Sequence, residues 1–368
     1  MPAEDGPSKA MARGRNDRAS KLLDIPSVEA ASGRRGEWIG GRFYWDCAMS
    51  SDALSDVLET VRMTGAVFFR VYGKKPWAAE QLSRDAVLPM IMPGAEHLIS
   101  YHIVTEGSCY ATVIGCDSIE LRAGQVVVFT RGDEHVMSSG PGMRADPVPA
   151  STIAEIAVAS LPFSASYGDA GPCTAKLVCG FLACDARPFN PLLENLPPVI
   201  VADSSDSGGM PWLAELIRLA IAESESQRTG GETVLARLTE LMFIEVVRKY
   251  VDGLPAGSAN WLAGLRDPFV SRALSLMHSD PGWDWTLPRL AKAVGLSRSD
   301  FAERFTSFVG SPPMNYLAKW RMQVAAGLLR GQVNIATVAS RVGYGSEASF
   351  SRAFKKIVGM PPSLWRQR

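Results

Sequence analysis

Apolar positions recur at two different spacings along this chain, and the changeover divides it. From Asp52 the amphipathic segment LSDVLETVRM leads into AVFFRVY, followed by strand-like runs: HLISYHIV, CYATVIG, SIELRA, QVVVFT and KLVCGFLA. These runs are short, rich in β-branched and aromatic residues, and set apart by Gly107, Gly115, Gly124 and Gly132. Many short strands between turns predict a β-barrel or sandwich. The Pro-rich NPLLENLPPVIVAD closes that unit.

Beyond Asp203 the spacing becomes helical. Leu213, Leu216, Ile217, Ala220 and Ile221 line PWLAELIRLAIAESES, and Leu235, Leu238, Leu241, Met242 and Val246 line ETVLARLTELMFIEVVRKYV. Thr229-Gly230-Gly231 turns the chain between them. An αα-hairpin with this much apolar surface must bury it, on the barrel or on another subunit.

The last third repeats itself. LAKAVGLSRSDFAERFTSFVGSPPMNYL aligns with VASRVGYGSEASFSRAFKKIVGMPPSLW, so that Gly295, Phe301, Phe305, Gly310, Pro312 and Tyr316 match Gly343, Phe350, Phe354, Gly359, Pro361 and Trp365. In the first copy Thr286 caps a helix striped by Leu287, Leu290, Ala291 and Val294, which Gly295 stops. Ser297 caps a second helix that buries Phe301, Phe305 and Phe308. The second copy repeats the scheme: Asn334 as cap, Ile335, Val338, Ala339 and Val342 as stripe, Gly343 as stop, and Phe350, Phe354 and Ile357 as the buried face. A short Gly-containing turn between two such helices predicts a helix-turn-helix whose second helix enters the major groove. MNYLAKWRMQVAAGLLRG reads as a stiff helical connector. It predicts two reading helices in successive major grooves, about 34 Å apart.

At 100° per residue, the faces opposite the phenylalanines hold Ser299, Ala302, Glu303 and Thr306 in the first reading helix and Ala348, Ser351, Arg352 and Lys355 in the second. Arg352 suits bidentate guanine readout and Lys355 a phosphate. Glu303 could accept from a cytosine N4 or pair with a neighbouring arginine.

Charge sharpens this division. The 368 residues, a length that suggests two or three domains, carry 38 basic and 38 acidic side chains. From Pro255 onward 15 are basic and 6 acidic, a net of +9, and the upstream part carries −9. A basic third of that kind predicts a nucleic-acid or anionic-surface partner. No apolar stretch approaches the roughly 18–20 residues of a membrane helix, and the N-terminus lacks the apolar run of a secretory signal. Six cysteines without CxxC pairs read as reduced cytosolic thiols. Residues 1–45 lack periodicity and read as a disordered tail. Arg13, Arg15, Arg18, Arg34 and Arg35 in it could touch phosphates, or form a solvated leader.

The residues from WTLPRLAKAVG to MPPSLWR resemble the AraC/XylS DNA-binding domain over roughly residues 260–368. The second copy matches that family's signature nearly throughout: Ala339 to Gly343, Tyr344, Ser349-Phe350, Arg352, Phe354, Lys355, Gly359 and Pro361-Pro362. In the β-rich part, Gly124-QVVVF-Thr130 through His135 resembles the second cupin motif, with the first ending at Gly107. Ser100, Gly94 and Glu96 stand where metal-binding cupins carry Glu and two His. The resemblance therefore implies no metal, no cofactor and no catalytic residue. Strand alternation sets His102 on the face of Ser100. His102 and His135 could face one cavity and, with Ser100, bind an anionic or hydrogen-bonding effector; alternatively they are hydrogen-bonded core histidines.

The expected fold class is α+β and multidomain: a cupin-like β-barrel sensor over 46–202, a helical hairpin over 203–254, and an all-α tandem helix-turn-helix over 255–368. The expected function is a cytoplasmic, sequence-specific transcription regulator, an activator, controlled by a small-molecule or redox signal at the cupin-like part. Its expected partners are double-stranded promoter DNA, a small-molecule effector, RNA polymerase and a second copy of the chain through the hairpin, with no membrane. Two rivals stand beside it: a metal-dependent cupin enzyme that a DNA-binding domain localises, and a thiol-based redox regulator using Cys109 or Cys179.

Overall fold

The protein was analysed as a computed structural model, which describes residues 36–39, 42–45, 52–149, 152, 155, 163–169, 171–204, 212–226, 228–331 and 333–367. Strands β1 (Gly36–Ile39) and β2 (Arg42–Trp45) pair antiparallel, with Trp38 opposite Phe43. This corrects the expectation of a tail without structure through residue 45. The sequence EWIGGRFYW carries the aromatic flanks and Gly-Gly dipeptide that favour a hairpin. The five tail arginines lie outside the described residues.

Helix α1 (Ala53–Thr60), capped by Asp52, precedes the sheet. The strands are β3 (Thr64–Lys74), β4 (Ala78–Gln81), β5 (His97–Val113), β6 (Ile119–Arg122), β7 (Gln125–Phe129), β8 (His135–Ser138), β9 (Phe163–Tyr167), β10 (Cys173–Cys184) and β11 (Val199–Asp203). Helix α2 (Arg84–Ile91) follows β4, and α3 (Pro191–Asn195) follows β10. The main sheet runs β11-β7-β5-β10-β3-β9, antiparallel except for β3 beside β9, and the far half of β5 turns away to pair with β6 and β8. HLISYHIV and CYATVIG are thus one strand of 17 residues, not two. Gly107 bends it instead of ending it: its φ is +73°, and a Cβ there would stand 1.9 Å from the Thr174 carbonyl oxygen.

The curled sheet encloses Val71, Trp77, Val104, Leu121, Val127, Phe129, Met137 and Leu177. Its outer face, with Ile99, Tyr101, Ile103, Val126 and Val178, is covered by the helical hairpin α4 (Trp212–Ser226) and α5 (Gly231–Asp252). Leu213, Ile217 and Ala220 with Leu235, Leu238, Met242 and Val246 make that contact, each large side chain contributing about 1.5–3 kcal/mol. The hairpin therefore buries its stripe on the barrel. Leu241, expected in that stripe, is 50% exposed.

Among the described residues the helices that follow are α6 (Trp261–Gly264), α7 (Pro268–Ser279), α8 (Leu287–Val294), α9 (Arg298–Val309), α10 (Pro313–Arg330), α11 (Ile335–Arg341), α12 (Glu347–Val358) and α13 (Pro362–Trp365). The pairs α8–α9 and α11–α12 are the two copies of the repeat. Thr286, Ser297 and Asn334 cap as the sequence predicts, accepting from the amides of Arg289, Asp300 and Ala336. Phe301, Phe305, Phe350 and Phe354 are fully buried. Ile357 is a correction: it is exposed, and the half-buried Val358, a full turn beyond Phe354, packs instead.

Candidate nucleic-acid interface and sensor cavity

On α9, Ser299 and Glu303 are exposed, while Ala302 and Thr306 are half-buried; Thr306 Oγ1 donates to the Ala302 carbonyl at 2.6 Å. Glu303 makes no ion pair among the described residues. Its neighbour Arg304 is already held, forked onto Asp267 at 2.5–3.1 Å and lying over the Phe269 ring. On α12, Ala348, Arg352 and Lys355 are exposed and Ser351 is half-buried. Sequence reasoning passed over Lys292, Arg298, Arg341 and Lys356, which are also exposed and without an ion pair among the described residues. Arg298 and Arg341 lie at an end of their helices, where the 100° rule says little.

The two copies are held by more than their connector. The 18 residues of α10 span about 27 Å. From its middle, Arg321 donates to the carbonyls of Pro281 and Trp283 at 2.7 and 2.9 Å, and its guanidinium lies over the Tyr344 ring. The loop before the first copy thereby meets the turn of the second. At that contact Gly343 has φ +78°, and a Cβ on it would stand 2.7 Å from the Gly282 carbonyl oxygen. Gly343 is thus needed both as a helix stop and as a place of close backbone approach.

In the sensor, β5 and β8 bring His102 and His135 together, with Nε2 atoms 2.9 Å apart beside the Phe129 ring. Both rings are buried, which disfavours the imidazolium: His135 is pushed down to about 4, and His102 well below its ordinary value. They border a cavity of about 60 Å3 whose other walls include Phe69, Val71, Met137, Val148, Tyr167 and Phe181. Ser100 is fully buried but does not line this cavity; its Oγ accepts from Gln81 Nε2 at 2.7 Å, and Gln81 does line it. Among the described residues no group of three or more His, Cys, Asp or Glu is placed to hold a metal. Glu96, which stands where metal-binding cupins carry His, instead accepts from the amides of Ala186 and Arg187 and pairs with Arg330.

Cys109 and Cys179 are buried, and burial pushes the Cys109 thiol up to about 12 and that of Cys179 up further than its ordinary value. A reactive thiol requires the opposite shift.

One strand connects cavity and reading unit. β10 lines the cavity with Leu177, Cys179 and Phe181 and ends beside Asp185. The Asp185 carboxylate accepts from Arg62 at 2.9 Å and from Arg330, the last residue of the connector, at 2.5 Å. Arg330 also reaches Glu96 at 3.1 Å and lies over the ring of Trp365, in the closing helix of the second copy. Just beyond, the Phe189 amide donates to the buried Gln323 Oε1 at 3.0 Å. No helix among the described residues is long and apolar enough to cross a membrane.

Comparison with known proteins agrees with this architecture. Residues 52–252 match the Cupin family model, and residues 290–368 match a helix-turn-helix domain model. A protein of Streptomyces lividans is 34% identical over 281 residues, covering 74% of this chain and 88% of its own length. Another, from Streptomyces antibioticus, is 31% identical over 325 residues, covering 86% of this chain and 98% of its own. Both are named AraC-like transcription regulators. With a cupin-type sensor, a tandem helix-turn-helix and relatives aligned across both, the chain belongs to the AraC-like family of DNA-binding transcription regulators.

Proposed function

We propose that the chain is a sequence-specific activator that reads promoter DNA with α9 and α12 and is controlled by a small molecule in the sensor cavity. The observation that carries this reading is β10, which walls the cavity and ends at the Asp185–Arg330 pair on the connector. An effector that favours one arrangement of that pair shifts the DNA-competent population, by as much as its affinity differs between the two states. Ser299, Ala302, Glu303, Thr306, Ala348, Ser351, Arg352 and Lys355 form the proposed reading face. His102 and His135 are the proposed effector contacts, with Ser100 acting through Gln81. The exposed Trp212, Leu219, Val234 and Leu241 on the hairpin support pairing with a second copy, and the activator role makes RNA polymerase a further partner. No residue is assigned a catalytic role. Gel-shift titrations against upstream genomic fragments, with and without candidate effectors, test the reading. Sequence-preferring binding at moderate salt that an effector shifts is the expected result; no such preference under any condition overturns it.

A further inference from the structure

We infer that the sensor cavity takes a neutral, mostly apolar molecule bearing one hydroxyl, an alcohol or a phenol, whose O–H donates to His102 Nδ1. This rests on the reading of the cavity as the effector site.

The hydrogen bonds of the two histidines fix the direction of each proton. The Asp133 carbonyl oxygen lies 2.9 Å from His135 Nδ1 and can only accept, so Nδ1 carries the proton. In a neutral ring, His135 Nε2 is then an acceptor. His102 Nε2, 2.9 Å away, must donate to it, which leaves the proton of His102 on Nε2 and a lone pair on Nδ1. That Nδ1 is buried and has no partner among the described residues. A buried acceptor left unmade is costly, and a ligand that supplies a donor removes the cost.

The remaining walls exclude other chemistries. An anion would meet two neutral imidazoles and, among the described residues of the lining, no free cation: Arg144 is forked onto both oxygens of Glu80 at 2.6 and 2.7 Å. An ammonium would find Glu80, the only carboxylate among the described residues of the lining, already neutralised by that fork. A polyol would leave most of its hydroxyls against Phe69, Val71, Met137, Val148, Leu177 and Phe181, with one Gln81 N–H already given to Ser100. Size sets a further limit. About 60 Å3 is several times the roughly 10–15 Å3 that one water needs, so the cavity admits a few heavy atoms as it stands. A larger ring would have to displace Val148, in the segment that the Arg144–Glu80 fork holds against the barrel.

The full chain labelled with 15N at its four histidines provides the readout. 1-Butanol and phenol are the donor probes, anisole the non-donating isostere, and butyrate and benzoate the anions. A saturable shift of the His102 Nδ1 resonance with 1-butanol or phenol is expected, with anisole and benzoate weaker by roughly tenfold or more. His102→Phe should bind phenol and anisole alike; if that variant does not fold, the wild-type resonances still decide. Equal affinity for phenol and anisole, or a protonated Nδ1 in the free protein, overturns the hydroxyl inference while leaving the cavity a ligand site. Absence of saturable binding by every probe overturns the cavity reading itself.

Discussion

The two copies of the helix-turn-helix share a sequence pattern but not a structural setting. Leu290, Ala291, Val294, Phe301 and Phe305 of the first copy belong to one continuous core with Ala53, Val57, Leu192 and Val251 of the sensor and hairpin. Val338, Ala339, Val342, Phe350 and Phe354 of the second close a core of their own. The connector is divided between them: Tyr316, Leu317 and Trp320 face the shared core, while Met322, Ala325, Ala326 and Leu329 face the separate one. Charge divides in the same way. α9 holds two basic and two acidic residues, and Asp267 takes Arg304 out of play; α12 holds Arg352, Lys355 and Lys356 against Glu347 alone. The first copy therefore shares its core with the sensor and hairpin, and the second closes its own core and carries the larger basic excess on its second helix. One sequence unit thus sits in two settings, and its outward-facing residues differ along with them.

The comparison can be broken most directly in the cores. Phe305→Ala and Phe354→Ala should each cost about 3–5 kcal/mol. Amide exchange should rise in the sensor sheet for Phe305→Ala, but only in α10 to α13 for Phe354→Ala. Equal loosening of the sheet by both would refute the division.

Acid should separate the two regions next. His97, His102, His135 and His278 all have depressed values through burial, with His278 down to about 3, and all lie outside the second copy. A histidine held neutral in the folded chain gives its full stability above its unfolded value of about 6.5, and loses it as pH falls toward the folded value. By pH 5, His135 and His278 should each have cost roughly 2 kcal/mol. Thermal melts between pH 7 and 5 should show the shared core weakening while the second copy holds; parallel decline of both would remove the contrast.

Arg330→Gln sharpens the link between sensor and second reader. With the Arg330 side chain 24% exposed and two carboxylates left behind, the loss should be roughly 1–3 kcal/mol. Exchange should rise around residues 185–190 and 326–331, and DNA affinity should respond less to an effector. An unchanged effector response would show that the signal travels elsewhere.

The smallest effects concern the reading face. Arg352→Ala should relax preference at one base position by about 1–3 kcal/mol, whereas Lys355→Ala should weaken all sites alike and lower the salt slope by about one unit. Binding by both variants like that of wild type would mean that α12 reads through other residues.

Caps, stops and stripes were legible because each is decided within one or two turns of chain. Thr286, Ser297 and Asn334 cap where the local pattern says, and the four phenylalanines are buried at their repeat positions. The reading failed where a local signal has two outcomes. Gly107 can end a strand or bend one, and the close approach of Thr174 from β10 selects the bend. Ile357 and Val358 adjoin on the helix, and the packing of the second core selects Val358. Ser100 has the strand phase of His102, yet Gln81 stands between it and the cavity.

The sequence by itself determined the tandem repeat, the cupin-like order of strands and the concentration of positive charge beyond Pro255, because periodicity, caps and composition are local or additive properties of the chain. Only the tertiary structure decided that His102 meets His135 across 33 residues and Asp185 meets Arg330 across 145. It also decided that the first reader shares the sensor's core. Such contacts are selected by how whole faces pack, and no spacing along the chain encodes which distant partner a buried side chain will find.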